Sequence, residues 1–566
     1  MSDSKCVVVL IIVCLLVVTY GNPIGMKSDL VGTMVDPLFD LSYYNETVII
    51  ENNEELVDLG LPGNGSEANP FILANLTIAD YGPCIEIKNT DLYLLVTNCT
   101  IMGEFQGLKL VNTTNIVIKY VNVAHIKHGI EISQSQNIII EDCIFDDCVY
   151  GFDFDESTYS LVSKCVFKNI GEQRYVTPTG GTIYPVNDGL VGEVTQSENI
   201  TIENNSCTNL DDAWGAFNIY GCTNLKLIDN QVDNTDWGIW FEGCSGCSFF
   251  GNAFGECWVV LYGNLELMFS EVHSNTIQGK DLGIIQNQHN SILDGETLKS
   301  AVLISCTNIT VSGGDLSNTA SGLGFWNCTN CSMDGIISST YFNIHKSKNC
   351  SISSSTIGKT AKIVSSEGTT ILNCNFSNIA QANPSIYIET SNITKCVNNS
   401  IIACKGGILL YKSLYTDLIT NWIESVEDTG IIVMNSQHGT IIGNSILGSK
   451  MKGIVLEHNS TNFEIYYNII GWNTEGNVVD DGYDNIWDDG ISRGNNYSDY
   501  VGSGVYHING DAESIDHFPG GISSGYWNIS TDELPNYYII TILTIGIAGV
   551  GLVTITVIWM LYIRKK

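Results

Sequence analysis

Positive charge is scarce in this chain. Its 566 residues carry 25 Lys and Arg, three of them Arg, against 61 Asp and Glu, for a formal net charge of −36. A phosphate backbone needs a basic face to dock on, so nucleic acid is excluded as a partner. Proline is scarce as well, at 10 residues, whereas glycine reaches 55. Few prolines leave hydrogen-bonded ladders unbroken, and many glycines permit tight turns. The Asp-x-Asp-x-Asp-Gly run of a calcium loop is absent, and Cys244-x-x-Cys247 and Cys328-x-x-Cys331 lack a histidine at zinc-finger spacing.

What is present is a beat. The pattern Asn-Ile-x-Ile occurs as Asn115-Ile-Val-Ile, Asn137-Ile-Ile-Ile, Asn199-Ile-Thr-Ile, Asn224-Leu-Lys-Leu, Asn308-Ile-Thr-Val and Asn392-Ile-Thr-Lys. Looser copies start near Asp91, Ser160, Cys247, Ser270, Cys331, Cys350, Thr370, Asp417, Thr440 and Glu464. Thirteen of the fifteen steps between copies span 19 to 25 residues, and the other two, 39 and 38, read as insertions. A fixed period of this length marks a solenoid, whose repeats bury their apolar faces only against neighbours. Within a copy the period is two: Ile200 and Ile202 point one way, Thr201 and Glu203 the other, which is a strand signal. A second short strand follows, as in Gly238-Ile-Trp-Phe241 and Gly453-Ile-Val-Leu456. The fold class expected is all-β, a right-handed parallel β-helix of about sixteen rungs, because parallel crossovers are right-handed. Asn at the strand ends suits left-handed turn positions, and stacked copies can pair amide to amide.

The domain boundaries follow. Residues 6–18 are an apolar run suited to a signal-peptide core, placing a signal peptide at 1–21. Residues 22–70 form an N-terminal cap region, with 47–59 as a short amphipathic plug. The β-helix occupies 71–470, and 471–535, where the repeat is lost, form a C-terminal cap and stalk. Residues 539–563 are uncharged and long enough to span a membrane, and the basic tail 564–566 belongs inside. The expected location is the cell membrane, crossed once, with the bulk of the chain outside. Sequons such as Asn75-Leu-Thr, Asn327-Cys-Thr and Asn496-Tyr-Ser agree with that setting.

Several of the 19 cysteines sit one rung apart: Cys143/Cys165, Cys222/Cys244, Cys306/Cys328 and Cys374/Cys396, each pair 22 residues apart. Neighbouring rungs bring such pairs within disulfide reach, and inward ladders of small buried thiols fit the spacing equally.

Chemistry concentrates in residues 171–283. Acids precede the Gly-containing strand in successive rungs: Asp188, Asp211 and Asp212, Asp236, Glu256 and Asp281. If the rungs keep register, these carboxylates stack on one face, where like charges resist ionisation or invite a cation such as calcium. Four of the ten Trp, namely Trp214, Trp237, Trp240 and Trp258, fall in the same stretch, as do Phe217, Tyr220, Phe241 and Tyr262. Aromatics beside carboxylates make a platform for sugar rings. The loop 171–187 emerges beside this face and brings Arg174. The candidate ligand-binding set is therefore Asp188, Asp211, Asp212, Trp214, Asp236, Trp237, Trp240, Glu256, Trp258 and Arg174, and the expected partner is a cell-surface or extracellular polysaccharide. A plain solvated acidic surface is the competing reading. Were the face catalytic, Asp212 and Asp236 would serve as acid and as base or nucleophile. The polygalacturonase-like set (Asn-x-Asp, Asp-Asp, Gly-His-Gly, Arg-x-Lys) is incomplete, since Asp211-Asp212 lacks the His and Arg partners. The nine His are scattered and read as turn residues. Asp480, Asp481, Asp484, Asp488, Asp489 and Asp499 mark a second place for a calcium ion.

Asn69-Pro-Phe-Ile72, the repeats, and Trp487-Asp-Asp-Gly-Ile-Ser-Arg-Gly-Asn-Asn-Tyr-Ser-Asp-Tyr500 together resemble archaeal surface proteins of the NosD-type right-handed β-helix family, over roughly residues 45–520. The resemblance implies the β-helix fold and, through the name-giving members, a periplasmic setting and copper delivery to nitrous oxide reductase. Copper wants clustered Met, His or Cys, and the nine Met here are scattered. Many relatives follow the closing segment with a calcium-type run, where this chain has Val501-Gly-Ser-Gly-Val-Tyr-His-Ile-Asn-Gly510. Three functions stay open: glycan binding or a structural role at the cell surface, polysaccharide hydrolysis or lysis, and copper handling.

Overall fold

The computed structural model describes residues 47–522 except 81, 104, 172–188, 211–212, 318–321, 378 and 380–383. The chain winds as a parallel β-helix with three strands per turn. Residues Leu161–Ser163 lie on a first sheet, Val166–Lys168 on a second and Leu190–Thr195 on a third. Each pairs in parallel with its counterpart one turn on, for example Leu161 with Thr201, Val166 with Ser206, and Leu190 with Gly215. Two strands, Asn122–Ser133 and Ile144–Asp155, run straight across the second and third sheets and merge them in the first half of the coil. In the second half the three sheets stay separate.

Register turns sequence alternation into columns. On the third sheet Ile85, Leu108, Ile130 and Phe152 lie directly above one another, followed by Gly192, Phe217, Ile239 and Val259. The seven apolar members are at most 2% exposed. Full burial of each such side chain contributes roughly 1.5–3 kcal/mol. The glycine in this column has a steric reason. A Cβ on Gly192 would meet Phe152 Cζ at 2.1 Å, so the phenyl ring takes the space a side chain would fill.

The corners are held by polar ladders. Asn115, Asn137, Asn199, Asn224 and Asn308 adopt φ of 52–66°, the left-handed turn geometry that asparagine tolerates. Asn137 Nδ2 donates to Asn115 Oδ1 at 2.8 Å. A different asparagine set lies inside the coil. Asn205, Asn230, Asn252 and Asn275 pass amide hydrogen bonds of 2.9 Å from turn to turn. The second half repeats the device with Asn399, Asn421, Asn444, Asn468 and Asn495, ending on Asp516. Serine ladders do the same where the third sheet turns into the first, as in Ser135, Ser157 and Ser197.

Three expectations change. The coil has about 19 turns, not sixteen. Extra turns come from Phe71–Ala74, from Ile486 bridging to Glu464, and from His289–Asp294. That last strand divides the 38-residue step read as an insertion into two ordinary turns and pairs with Thr307–Ser312. It escapes the pattern because its outward residues include Ile292, 82% exposed. The copy at Asn392 is out of phase by one residue: Ile393 takes the left-handed position (φ 55°) and Thr394 points inward. Winding also continues past 470. Gly476–Asp480 pairs with Lys452–Leu456, and Asn496–Tyr497 with Ile469–Ile470. Trp487 and Tyr497 then fill the open end of the core, 1% and 0% exposed.

At the other end, residues 47–59 hold the strand Val48–Ile50 and the helix Asn53–Asp58. Asn52 caps the helix by accepting from Glu55 N, and Leu56 is buried. The signal segment and residues 539–563 lie outside the described residues. Among the described residues no helix is long and apolar enough to cross a membrane. The 17 described cysteines are buried and form no disulfide. They stack from turn to turn, with Cys306 N donating to Cys328 Sγ at 3.4 Å, and donate to backbone carbonyls, as Cys222 Sγ does to Val194 O at 3.2 Å. The thiol-ladder arrangement is the one the structure adopts.

Candidate functional site

The outer face of the third sheet in the first half of the coil is where unlike residues meet. Most strands there bury their second and third residues and then alternate. One outward column runs Lys109, Glu131, Asp153, Glu193, Asn218 and Trp240. Beside it run His128 and Tyr150 in register, then Trp237 and Trp258 further along.

The carboxylates at the centre of the first column are held, and one is perturbed. Glu131 accepts from Gln106 Nε2 at 2.6 Å and lies 3.2 Å from His128 Nδ1. Glu193 accepts from Asn218 Nδ2 at 2.7 Å. Asp153 stands between them. Burial first, and then the charges of Glu193, Glu131 and Asp155, push its carboxyl up to about 7. Asp155 is drawn aside by Thr195 Oγ1 at 2.7 Å. The His128 ring stacks on Tyr150 at 4.8 Å, and burial holds the imidazole below its usual value.

The aromatic half of the face follows directly. Trp240 touches Trp214 (5.8 Å between ring centres), Trp237 (5.7 Å) and Tyr262 (5.5 Å). Its indole N–H donates to Glu242 Oε2 at 3.0 Å, which fixes the ring. Trp214, Trp237 and Trp240 are half-buried, while Trp258 and Tyr262 are exposed, so rings face solvent without forming a core. Phe217 and Phe241 are core residues.

The expected site residues separate. Arg174, Asp188, Asp211 and Asp212 lie outside the described residues. Gly171 and Gly189, which flank residues 172–188, lie against one another: a Cβ on Gly189 would meet Gly171 Cα at 2.4 Å. Trp214, Trp237 and Trp240 come together as above. Asp236, Glu256 and Trp258 line a separate cleft of about 400 Å³ with Asn234, Ser317 and Ser339. The carboxylate column expected from Asp236 through Glu256 to Asp281 is staggered. Glu256 O accepts from Thr235 N, one residue off Asp236, because the strand pairing slips between Trp237 and Ile239. Asp281 lies on an antiparallel excursion with Thr276 and caps Gly283 N at 2.7 Å. The stacked acids Glu131, Asp153 and Glu193 carry a sequence signal of their own. Each is an acid between two inward positions of the third-sheet strand, as in Ile130-Glu-Ile132 and Phe152-Asp-Phe154.

Metal chemistry finds no purchase among the described residues: no group of three or more His, Cys, Asp or Glu stands where it could hold an ion. Two of the C-terminal aspartates bind the cap itself. Asp480 accepts from Trp487 Nε1, Asn485 Nδ2 and Ser514 Oγ, and Asp489 from the backbone of Ile491, Ser492 and Arg493.

Residues 42–190 and 83–259 match the family model described as right handed beta helix region, and residues 270–502 match that described as periplasmic copper-binding protein (NosD). The described residues do not fit copper, since their thiols are buried in the core and no ligand cluster forms. None of the curated proteins compared matches the chain. Among solved structures it is similar to the A-module of mannuronan C-5 epimerase AlgE6 from Azotobacter vinelandii, with 12% identity over 74% of this chain and 98% of that one and a TM-score of 0.20. It is similar to PfbA, a surface adhesin of Streptococcus pneumoniae (12%, 71% and 92%, TM-score 0.23). Tailspike protein 3 of bacteriophage CBA120 is a third likeness (12%, 86% and 64%, TM-score 0.24). Likeness at this identity concerns the fold alone. The chain is thus a parallel β-helix that is similar to the right handed beta helix region in its first half and to NosD in its second.

Proposed function

We propose that this protein is a cell-surface glycan-binding β-helix, with its body outside the cell and residues 539–563 as its membrane anchor. The observation that carries the binding reading is the contiguous face of Trp214, Trp237, Trp240 and Tyr262. Sugar rings present flat C–H faces that stack on aromatic rings, and their hydroxyls donate to carboxylates and exchange hydrogen bonds with amides at the edge. Asn218, Glu193 and Glu242 stand at that edge in register with Trp240 and Tyr262. A panel of polysaccharides titrated against the full chain tests the reading. One or more should bind, and Trp240→Ala should weaken binding at least tenfold. Binding untouched by Trp240→Ala would refute it.

A second reading, in which the face cleaves the chain it holds, draws on Asp153. A carboxyl pushed up to about 7 keeps a proton near neutrality and can donate it, with Glu193 on the adjacent strand as base or nucleophile. Adjacent strands lie ~4.8 Å apart, close to the ~5–5.5 Å carboxyl separation of retaining glycosidases. The pair in this reading is Asp153 and Glu193; Asp212, of the pair Asp212 and Asp236 expected from the sequence, lies outside the described residues. New reducing ends that vanish in Asp153→Asn while binding persists would establish it.

A further inference from the structure

The third sheet is interrupted once. Its first stretch ends at Trp258–Tyr262 and its second begins at Ile284–Gln286, and no described strand pair joins the two. Instead Gln286 Nε2 donates to Phe269 O at 2.9 Å, tying the second stretch to the end of the first sheet. The turn at 261–265 is thereby left standing over the outer face of the second stretch. Between them is a cleft of about 580 Å³. Tyr262 and Asn264 line one side. Trp326, Asn343, His345, Lys346 and Lys362 line the other.

Register explains the second wall. Trp326 and His345 are paired outward residues on adjacent strands, as are Asn343 and Lys362. The charge of this wall runs against the rest of the molecule. In a chain with 25 basic and 61 acidic residues, two lysines and a histidine share one cleft. Lys346 is half-exposed and reaches Glu266 Oε1 only at 3.8 Å, and Lys362 Nζ sits 5.3 Å from the centre of the Tyr387 ring. Neither ammonium is consumed by a tight ion pair in these contacts. Burial first, and then Lys346, hold the His345 imidazole below its usual value, so near neutrality it offers one donor and one acceptor.

We propose that this cleft binds an acidic saccharide unit, a sugar ring carrying a carboxylate or a sulfate. Tyr262 and Trp326 supply flat walls for the ring, Asn264, Asn343 and His345 take hydroxyls, and Lys346 and Lys362 meet the anion. The cleft is the continuation of the tryptophan face, because Tyr262 lines it and also touches Trp240 at 5.5 Å. The inference therefore rests on the glycan-binding reading and adds the ligand's charge to it.

Titration calorimetry on the full chain separates the two. The probes are tetragalacturonate, its carboxyl-reduced neutral counterpart, and a sulfated tetrasaccharide. At least one acidic probe should bind tenfold or more tighter than the neutral one, and that preference should fade with added salt. The double variant Lys346→Gln/Lys362→Gln should lose the preference while keeping its thermal midpoint. Which acidic probe binds more tightly assigns the anion as carboxylate or sulfate. Equal affinity for acidic and neutral probes overturns the cleft and leaves the tryptophan face standing. So does an acidic preference that survives in the folded double variant. Acidic binding lost in the double variant but indifferent to Trp240→Ala supports the cleft and overturns the tryptophan face as part of that ligand's site.

Discussion

The first and second halves of the coil share an interior and differ on one outer face. Inside, both stack aliphatic columns and both run buried asparagine ladders, Asn205 to Asn275 in one and Asn399 to Asn495 in the other. Outside, the main column of the third sheet reads Glu131, Asp153, Glu193, Asn218, Trp240 in the first half. In the second half it reads Lys362, Tyr387, Leu409, Ile432, Val455, Val479. The contrast separates two demands on one strand. Inward positions answer to packing and repeat because every turn needs them. Outward positions are free of that demand, so an unlike set of residues there marks selection for something other than folding.

The shared interior gives the largest expected effect. Asn230 Oδ1 accepts from Asn205 N and Nδ2, and its amide donates to Asn252 Oδ1 and Ile202 O. Asn421 repeats this valence with Asn399, Asn444 and Cys396 O. Asn230→Ala and Asn421→Ala should each cost about 3 kcal/mol, because each strands buried donors and an acceptor on neighbouring turns. Denaturant midpoints that fall in one half only would break the claim of a common interior.

The outer face should split the halves instead. Trp240→Ala with Tyr262→Ala should lower affinity for the bound polysaccharide about 100-fold, at roughly 1.5 kcal/mol per ring. Leu409→Ser with Val455→Ser, further along the equivalent column of the second half, should leave it unchanged. A loss shared by both pairs would mean that the ligand does not distinguish the two faces.

Asp153 sharpens the contrast through pH. Its folded value of about 7 lies above the ~3.9 of an unfolded Asp carboxyl. The folded state therefore holds the proton more tightly. Stability is full below the unfolded value and drains as pH rises from about 4 to about 7. Asp153→Asn keeps the shape and removes the titration. Variant and parent should melt alike near pH 4, and the variant should be more stable by about 4 kcal/mol at pH 8. A pH-independent difference would show that Asp153 ionises as freely as a surface acid.

Periodicity made the architecture legible. Alternation fixed which residues face inward, the asparagine turns marked the corners, and the tryptophans already fell in neighbouring turns. Three things stayed hidden for physical reasons. The turn at His289–Asp294 has few buried residues, so it carries little of the apolar pattern that announces a strand. The 17 residues between Gly171 and Gly189 break the period between Asp153 and Glu193, which then stand 40 residues apart in sequence and yet pair. The basic cleft joins residues from turns that are not neighbours, and no one-turn spacing encodes it.

The smallest effect concerns the phase error at Asn392. In the first half the left-handed corner of this turn belongs to asparagine, Asn199 at φ 56°. In the second half asparagine again holds it, as at Asn308 (φ 55°), but in one turn it belongs to Ile393 at φ 55°, a β-branched residue in a conformation that crowds its Cβ. Ile393 is 47% exposed, so little packing offsets the strain. Ile393→Asn should raise stability by about 1 kcal/mol, and Asn199→Ile should lower it by a similar amount. Equal and opposite shifts in the thermal midpoint would show that the corner obeys one backbone rule in both halves. A destabilising Ile393→Asn would mean that the exposed side chain makes a contact worth more than the strain, and the halves would then differ at their corners as well as on their outer face.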